Sequence, residues 1–81
     1  MSSIEEKFGE TVRYFRNKRG VSQEEFASVA GIHRTYVSSV ELGKVKVSIE
    51  VAAKLIKALD LRLPVFWKHV EKLLEQDSKG N

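Results

Sequence analysis

The stretch over residues 22–41 constrains the fold more than any other part of this sequence. Ser22 followed by Glu25 forms a capping box, which predicts that a helix begins here. Gly31 predicts its end, because the residue just past a helix often needs a positive φ that glycine adopts without a Cβ penalty. Apolar residues recur at helical spacing on both sides of this glycine: Phe26, Ala27, Ala30, Ile32, Val37 and Val40. The stretch therefore predicts two short helices joined by a tight turn.

The second of these helices has an outward face of an unusual kind. Its polar residues all donate hydrogen bonds or can touch a thymine methyl: Arg34, Thr35, Tyr36, Ser38 and Ser39. A helix that is merely solvated more often carries Glu and Lys four residues apart. The small side chain of Ala27 lets the second helix cross closely over the first. The pattern predicts a helix-turn-helix over residues 22–42, a motif that places its second helix in the major groove of DNA.

The overall composition excludes several other classes of protein. The 81 residues, 42% of them hydrophobic, predict one domain over residues 1–81, of a size at which one core is marginal and dimerisation helps. The absence of cysteine excludes disulfides and thiolate metal sites and fits a cytoplasmic protein. The absence of a long apolar run argues against a signal peptide and a membrane span. We find no catalytic set and no metal-ligand spacing, so we expect no enzyme, cofactor or metal.

Positive charge is concentrated around the motif. Residues 13–46 hold seven basic and three acidic side chains, a net charge of +4, whereas residues 1–12 have a net charge of −2. This distribution is expected of a surface that faces phosphates. We expect phosphate contacts from residues in and beside the motif: Lys18, Arg19, His33, Ser38, Lys44 and Lys46. For each lysine and arginine, a solvated charge without function is an open alternative, and His33 could also serve as a helix cap.

Contacts to bases are expected from the start of the second helix. Arg34 can donate two hydrogen bonds to guanine O6 and N7, and such a contact discriminates against other bases by about 1–3 kcal/mol. Thr35 and Ser39 lie one helical turn apart and can face the groove together. Tyr36 could stack or bond at a base step, or its hydroxyl could reach a phosphate. For Arg34 the alternative is a phosphate contact, and for Thr35 and Ser39 it is plain solvation.

The rest of the chain predicts three more helices and no strand, so the fold class is all-α with five helices. Helix 1 opens with a capping box at Ser3, and helix 4 is capped by Ser48. Helix 1 carries a core stripe of Ile4, Phe8, Val12 and Phe15, and the buried side of helix 4 carries Ile49, Ala52, Leu55, Ile56 and Leu59. Helix 5 begins at Pro64 and ends near residue 76, and residues 77–81 form a frayed tail.

Helix 5 has more apolar surface than a terminal helix on a small core needs. The residues concerned are Phe66, Trp67, Val70, Leu73 and Leu74. We expect residues 64–76 to form the interface of a homodimer, with packing on the chain's own core as the alternative. A membrane-surface role is disfavoured because acidic residues of this helix would face anionic lipid. Such a dimer presents two recognition helices about 34 Å apart and needs a palindromic site on double-stranded DNA.

The motif resembles a known family. The residues that carry the likeness are Gln23, Ala27, Gly31, Ile32, Val37, Ser38, Glu41 and Gly43, which resemble the helix-turn-helix of the phage Cro and repressor (Xre-like) family over roughly residues 5–66. Arg34 to Ser38, taken with Val65, Phe66 and Trp67, look most like the controller proteins of restriction-modification systems. The likeness implies a lambda repressor-like fold. It also implies that Gln23 contacts a phosphate and supports Arg34, and that Arg16 and Glu41 form a partly buried ion pair.

For function, the resemblance implies a transcription regulator that binds an operator as a dimer. A controller protein is expected to bind tandem operators cooperatively and to activate and then repress the promoter it shares with an endonuclease, which leaves RNA polymerase open as a further partner. The alternatives are a phage or plasmid repressor, or an antitoxin-type protein-interaction module that binds a toxin through helix 5.

Overall fold

The computed structural model describes residues 3–79, and these form five helices without a strand. The helices are α1 (Ile4–Arg19), α2 (Gln23–Ala30), α3 (Arg34–Glu41), α4 (Ile49–Ala58) and α5 (Leu63–Lys79). Helix α1 packs against both α3 and α5, while α2 packs against α3 and α4. No helix within residues 3–79 is long and apolar enough to cross a membrane. The predicted all-α, five-helix class is confirmed.

The helix boundaries follow from local capping chemistry. Ser3 and Ser22 each take part in a complete capping box, and the Ser48 hydroxyl accepts from the backbone N–H of Val51. Gly31 adopts φ 73° and ends α2, as its position in the sequence predicts. The α3 helix begins after His33, whose side chain accepts from the backbone N–H of Thr35. Gly31 and the His33 cap thus bound the short turn between α2 and α3.

The core lies between the helices and is almost entirely apolar. Its members are Phe8, Val12, Phe26, Ala27, Ala30, Val37, Val40, Ala52, Leu55, Ile56, Leu59, Phe66 and Val70. Gly9 allows α1 and α3 to approach closely, because a Cβ at this position would lie only 2.1 Å from the carbonyl oxygen of Val40. The α3 helix is thereby held on the core by its inward side, with its outward side left for other contacts.

Two predicted core residues are exposed, while Phe15 and Ile32 are half-buried against the core. Ile4 is 52% exposed and Ile49 is 91% exposed. Each is the first residue of its helix and lies at the rim of a groove, so no neighbouring helix covers it. The helical period placed both on an inward stripe, but a stripe stays buried only where another element packs over it.

The predicted role of helix 5 also needs correction. Phe66 and Val70 are 0% and 2% exposed, so they belong to the core of the protomer and cannot form a dimer interface.

The bounds of helix 5 also differ from the prediction. The helix begins at Leu63, and residues 77–79 are helical, so the tail predicted over residues 77–81 was wrong for this part. Glu75 and Gln76 are strong helix formers that carry the helix onward. Residues 80 and 81 lie outside the described residues.

Candidate nucleic-acid interface

The outward side of α3 brings together the residues predicted to contact bases. Val37 and Val40 are 0% and 1% exposed and fix the orientation of the helix. Arg34 and Thr35 lie in its first turn and are exposed, while Ser39 is half-buried. Tyr36 is also half-buried, and it packs against the core. The first turn therefore presents the most accessible side chains of the predicted row.

His33 and Thr35 form a local unit at the N-terminus of α3. Nδ1 of His33 lies 3.2 Å from the backbone nitrogen of Thr35 and 2.7 Å from its Oγ1. Because Nδ1 accepts from the backbone N–H, a neutral imidazole carries its proton on Nε2. Nε2 is then a hydrogen-bond donor at the exposed end of the helix, which suits a phosphate oxygen. His33 thus acts as a helix cap and keeps a donor for a second contact.

Gln23 occupies the first turn of α2 and is bound to the end of α3. Its Nε2 donates to Oε1 of Glu41 at 3.0 Å. Glu41 is 7% exposed and also receives two hydrogen bonds from Arg16, which is 9% exposed. The two residues that the resemblance paired are therefore in contact, with Gln23 as a third member. One amide N–H of Gln23 is used in this way, which leaves the second N–H for the predicted phosphate contact.

The predicted phosphate-binding residues differ in their surroundings. Lys44 and Lys46 are exposed in the loop between α3 and α4, and Ser38 is half-buried on α3. Lys18 and Arg19 lie at the end of α1 and have partners inside the protein. Nζ of Lys18 is 5.7 Å from the centre of the Tyr14 ring, and Nη1 of Arg19 donates to the Leu59 carbonyl at 3.4 Å. The last two are therefore less free to reach DNA than the loop lysines.

One contact at this surface was missed in the sequence analysis. Glu24, in the first turn of α2, forms an ion pair with Arg34, with Oε2 and Nη1 3.2 Å apart. The two residues are ten positions apart and lie on different helices, so no helical spacing in the sequence indicates the contact. No group of residues able to hold a metal ion occurs within residues 3–79.

The chain matches a known family and is similar to named proteins of that family. A family described as helix-turn-helix matches residues 12–66. The control protein C.SmaI of Serratia marcescens is 41% identical over 61 residues, which are 75% of this chain and 73% of that protein. The control protein C.MunI of Mycoplasma sp is 36% identical over 73 residues, which are 89% of this chain and 99% of that protein.

A solved structure shows the same fold in a complex. The crystal structure of the restriction-modification controller protein C.Esp1396I, a tetramer with its natural 35 base-pair operator, is similar with a TM-score of 0.83. It is 25% identical, and the likeness covers 89% of this chain and 95% of that one. With these matches, the present chain belongs to the helix-turn-helix family and, within it, to the restriction-modification control proteins.

Proposed function

We propose that this chain is a sequence-specific transcription regulator that binds a near-palindromic DNA operator as a homodimer and controls a restriction-modification system. The observation that carries the proposal is the orientation of α3: Val37 and Val40 are sealed in the core, while Arg34 and Thr35 stand exposed in its first turn. Family membership and the operator complex of C.Esp1396I support the same function. We expect the protein to act in the cytoplasm by binding DNA and not as an enzyme.

The mechanism divides the surface into two kinds of contact. Lys44, Lys46 and His33 neutralise or bind phosphates and set the register, with Gln23, Ser38, Lys18 and Arg19 as further backbone contacts. The free N–H groups at the N-terminus of α2 favour a phosphate there. Sequence is selected by Arg34, supported by Thr35, Tyr36 and Ser39 in the major groove. RNA polymerase is the further partner that activation of a promoter requires.

The dimer interface in this proposal lies beside α5 rather than on its whole apolar side. An apolar groove of about 420 Å³ opens between α1, α4 and α5, and its lining includes Ile4, Phe8, Ile49, Ile56, Leu63 and Trp67. Trp67 is 40% exposed, and its ring is held 5.5 Å from Phe8 and 5.6 Å from Phe66, measured between centroids. Exposed apolar side chains around a fixed aromatic residue favour a protein interface. Leu73 and Leu74, further along α5, are half-buried and are the remaining interface residues of this proposal.

Selection of bound sites from random duplex DNA tests the function directly. We expect the purified protein to enrich one near-palindromic sequence with half-sites about one helical turn apart. Its affinity should fall with salt by about 0.9 log units per log unit of salt for each phosphate neutralised. Failure to enrich any sequence at low ionic strength contradicts the proposal.

A further inference from the structure

The ion pair between Glu24 and Arg34 involves the residue proposed to read a base. Nη1 of Arg34 and Oε2 of Glu24 are 3.2 Å apart, and the two side chains are 61% and 78% exposed. Both residues lie in the first turn of their helices, at the end of the motif that offers its donors to DNA. In the free protein, the side chain proposed to read a base, Arg34, is therefore paired with the carboxylate of Glu24.

The same donors serve both partners. A bidentate contact to guanine O6 and N7 uses two N–H groups of the guanidinium, and a carboxylate accepts from the same groups. Arg34 must give up at least part of its pairing with Glu24 when it binds guanine through Nη1. When the base pair offers no guanine, Arg34 can keep the partner that it has in the free protein.

We infer that Glu24 is an alternative partner for Arg34 that competes with the base contact, so that the preference for half-sites with the guanine is reduced. This inference rests on the proposed function. Glu24 weakens binding to the preferred site, because the ion pair is broken there. At a site without the guanine, the ion pair is retained, so Glu24 does not weaken binding there. The difference between the two sites is therefore smaller than the guanine contact alone would give.

The size of the effect follows from the exposure of the pair. Exposed ion pairs stabilise by a few tenths to about 1 kcal/mol, so the expected change in affinity is about two- to fivefold. A loss of this size leaves most of the discrimination by Arg34 in place. The pair contributes little to folding for the same reason, so variants of Glu24 should fold normally.

The experiment is a double-mutant cycle measured on two operators. Wild type, Glu24→Gln, Arg34→Ala and the double variant are titrated against the preferred operator and against a copy in which the guanine pair read by Arg34 is replaced. Glu50→Gln is the matched control, because it removes an exposed carboxylate from the first turn of another helix, α4. The melting temperature of each variant is recorded to check folding.

We expect Glu24→Gln to strengthen binding to the preferred operator two- to fivefold more than binding to the replaced one. This extra gain should vanish in the Arg34→Ala background, and Glu50→Gln should affect both operators equally. An equal gain on both operators, in both backgrounds, means that Glu24 only repels phosphates and overturns the inference. Weaker binding of Glu24→Gln to the preferred operator also overturns it, because Glu24 would then orient Arg34 or accept from a cytosine amino group. If wild type itself does not distinguish the operators, the proposed role of Arg34 fails first.

Discussion

Arg16 and Glu41 form a two-bonded ion pair that joins α1 to the last residue of α3. Nε of Arg16 donates to Oε2 of Glu41 at 2.6 Å, and Nη2 donates to Oε1 at 3.0 Å. Nη1 of Arg16 donates in addition to the carbonyl of Val21 at 2.8 Å. With Gln23 also bound to Glu41, one network fixes the end of α1, the start of α2 and the end of α3. The orientation of the recognition helix therefore depends on a polar cluster as well as on the apolar core.

The first prediction concerns this pair. Arg16→Ala leaves the buried carboxylate of Glu41 without its charged partner, so we expect a loss of about 3–5 kcal/mol in the free energy of unfolding. Urea denaturation at neutral pH measures the loss. Arg13→Ala is the matched control, since Arg13 is an exposed arginine on the same helix, and it should change stability by less than about 0.5 kcal/mol. Identical unfolding curves for Arg16→Ala and wild type would refute this role of the pair.

How far the sequence predicts this molecule depends on the range of the interaction. The caps at Ser3, Ser22 and Ser48 and the stop at Gly31 were predicted, because each depends on residues within one helical turn. The burial of Val37 and Val40 was predicted from the helical period. Exposure at helix ends was not predicted for Ile4 and Ile49, because the period does not show where a neighbouring helix stops.

The contacts between helices were harder to predict. No pattern in the sequence marks Gly9 as a contact between helices, since its role depends on the approach of Val40 from α3. The Glu24–Arg34 pair likewise depends on the angle between α2 and α3, and neither residue is marked by spacing. Phe66 and Val70 were assigned to a dimer interface because an apolar stripe looks the same whether it faces the chain's own core or a partner. Tertiary packing decides between the two.

The second prediction separates base reading from phosphate binding. Arg34→Ala should flatten the preference for the operator over variants of it, by about 1–3 kcal/mol at one base pair. Lys44→Ala should weaken binding to all sequences about equally and reduce the salt dependence by about one phosphate. Competition titrations with a panel of single-base operator variants at several salt concentrations measure both effects. An unchanged preferred site after Arg34→Ala contradicts the assignment of Arg34, and a sequence-dependent effect of Lys44→Ala contradicts that of Lys44.

The third prediction concerns the pH dependence of stability. His69 lies on α5 and contacts α1, with Nδ1 3.0 Å from Oγ1 of Thr11 and its ring stacked on Tyr14 at 4.6 Å. The Thr11 hydroxyl donates to the Lys7 carbonyl, so Nδ1 of His69 is the donor to Thr11. Burial, together with the nearby positive charge of Lys72, lowers the pKa of His69 below 6.5, although Glu10 acts in the opposite direction.

A lowered pKa means that the unfolded chain binds this proton more tightly than the folded chain. The contribution of His69 to stability is therefore complete above pH 6.5 and is lost as the pH falls through the pKa of the folded state. Wild type should lose stability relative to His69→Gln as the pH is lowered from 7.5, by no more than about 1.4 kcal/mol per pH unit. Urea denaturation of both proteins over this range provides the measurement. A difference between them that is constant with pH, or that grows in the opposite direction, contradicts the prediction.

The fourth prediction concerns the proposed dimer at the apolar groove. Ile49 stands at its rim, is 91% exposed and therefore contributes little to the core of the protomer. Ile49→Glu places a charge where the partner would pack, and a glutamate in the first turn of α4 does not harm the helix. We expect wild type to sediment as a dimer at micromolar concentration and Ile49→Glu to shift towards the monomer, with operator affinity falling in parallel. Val29→Glu is the control, since Val29 is 71% exposed on α2, outside the groove, and this variant should remain dimeric. A monomeric wild type, or an Ile49→Glu variant as dimeric as wild type, would show that the groove is not the interface.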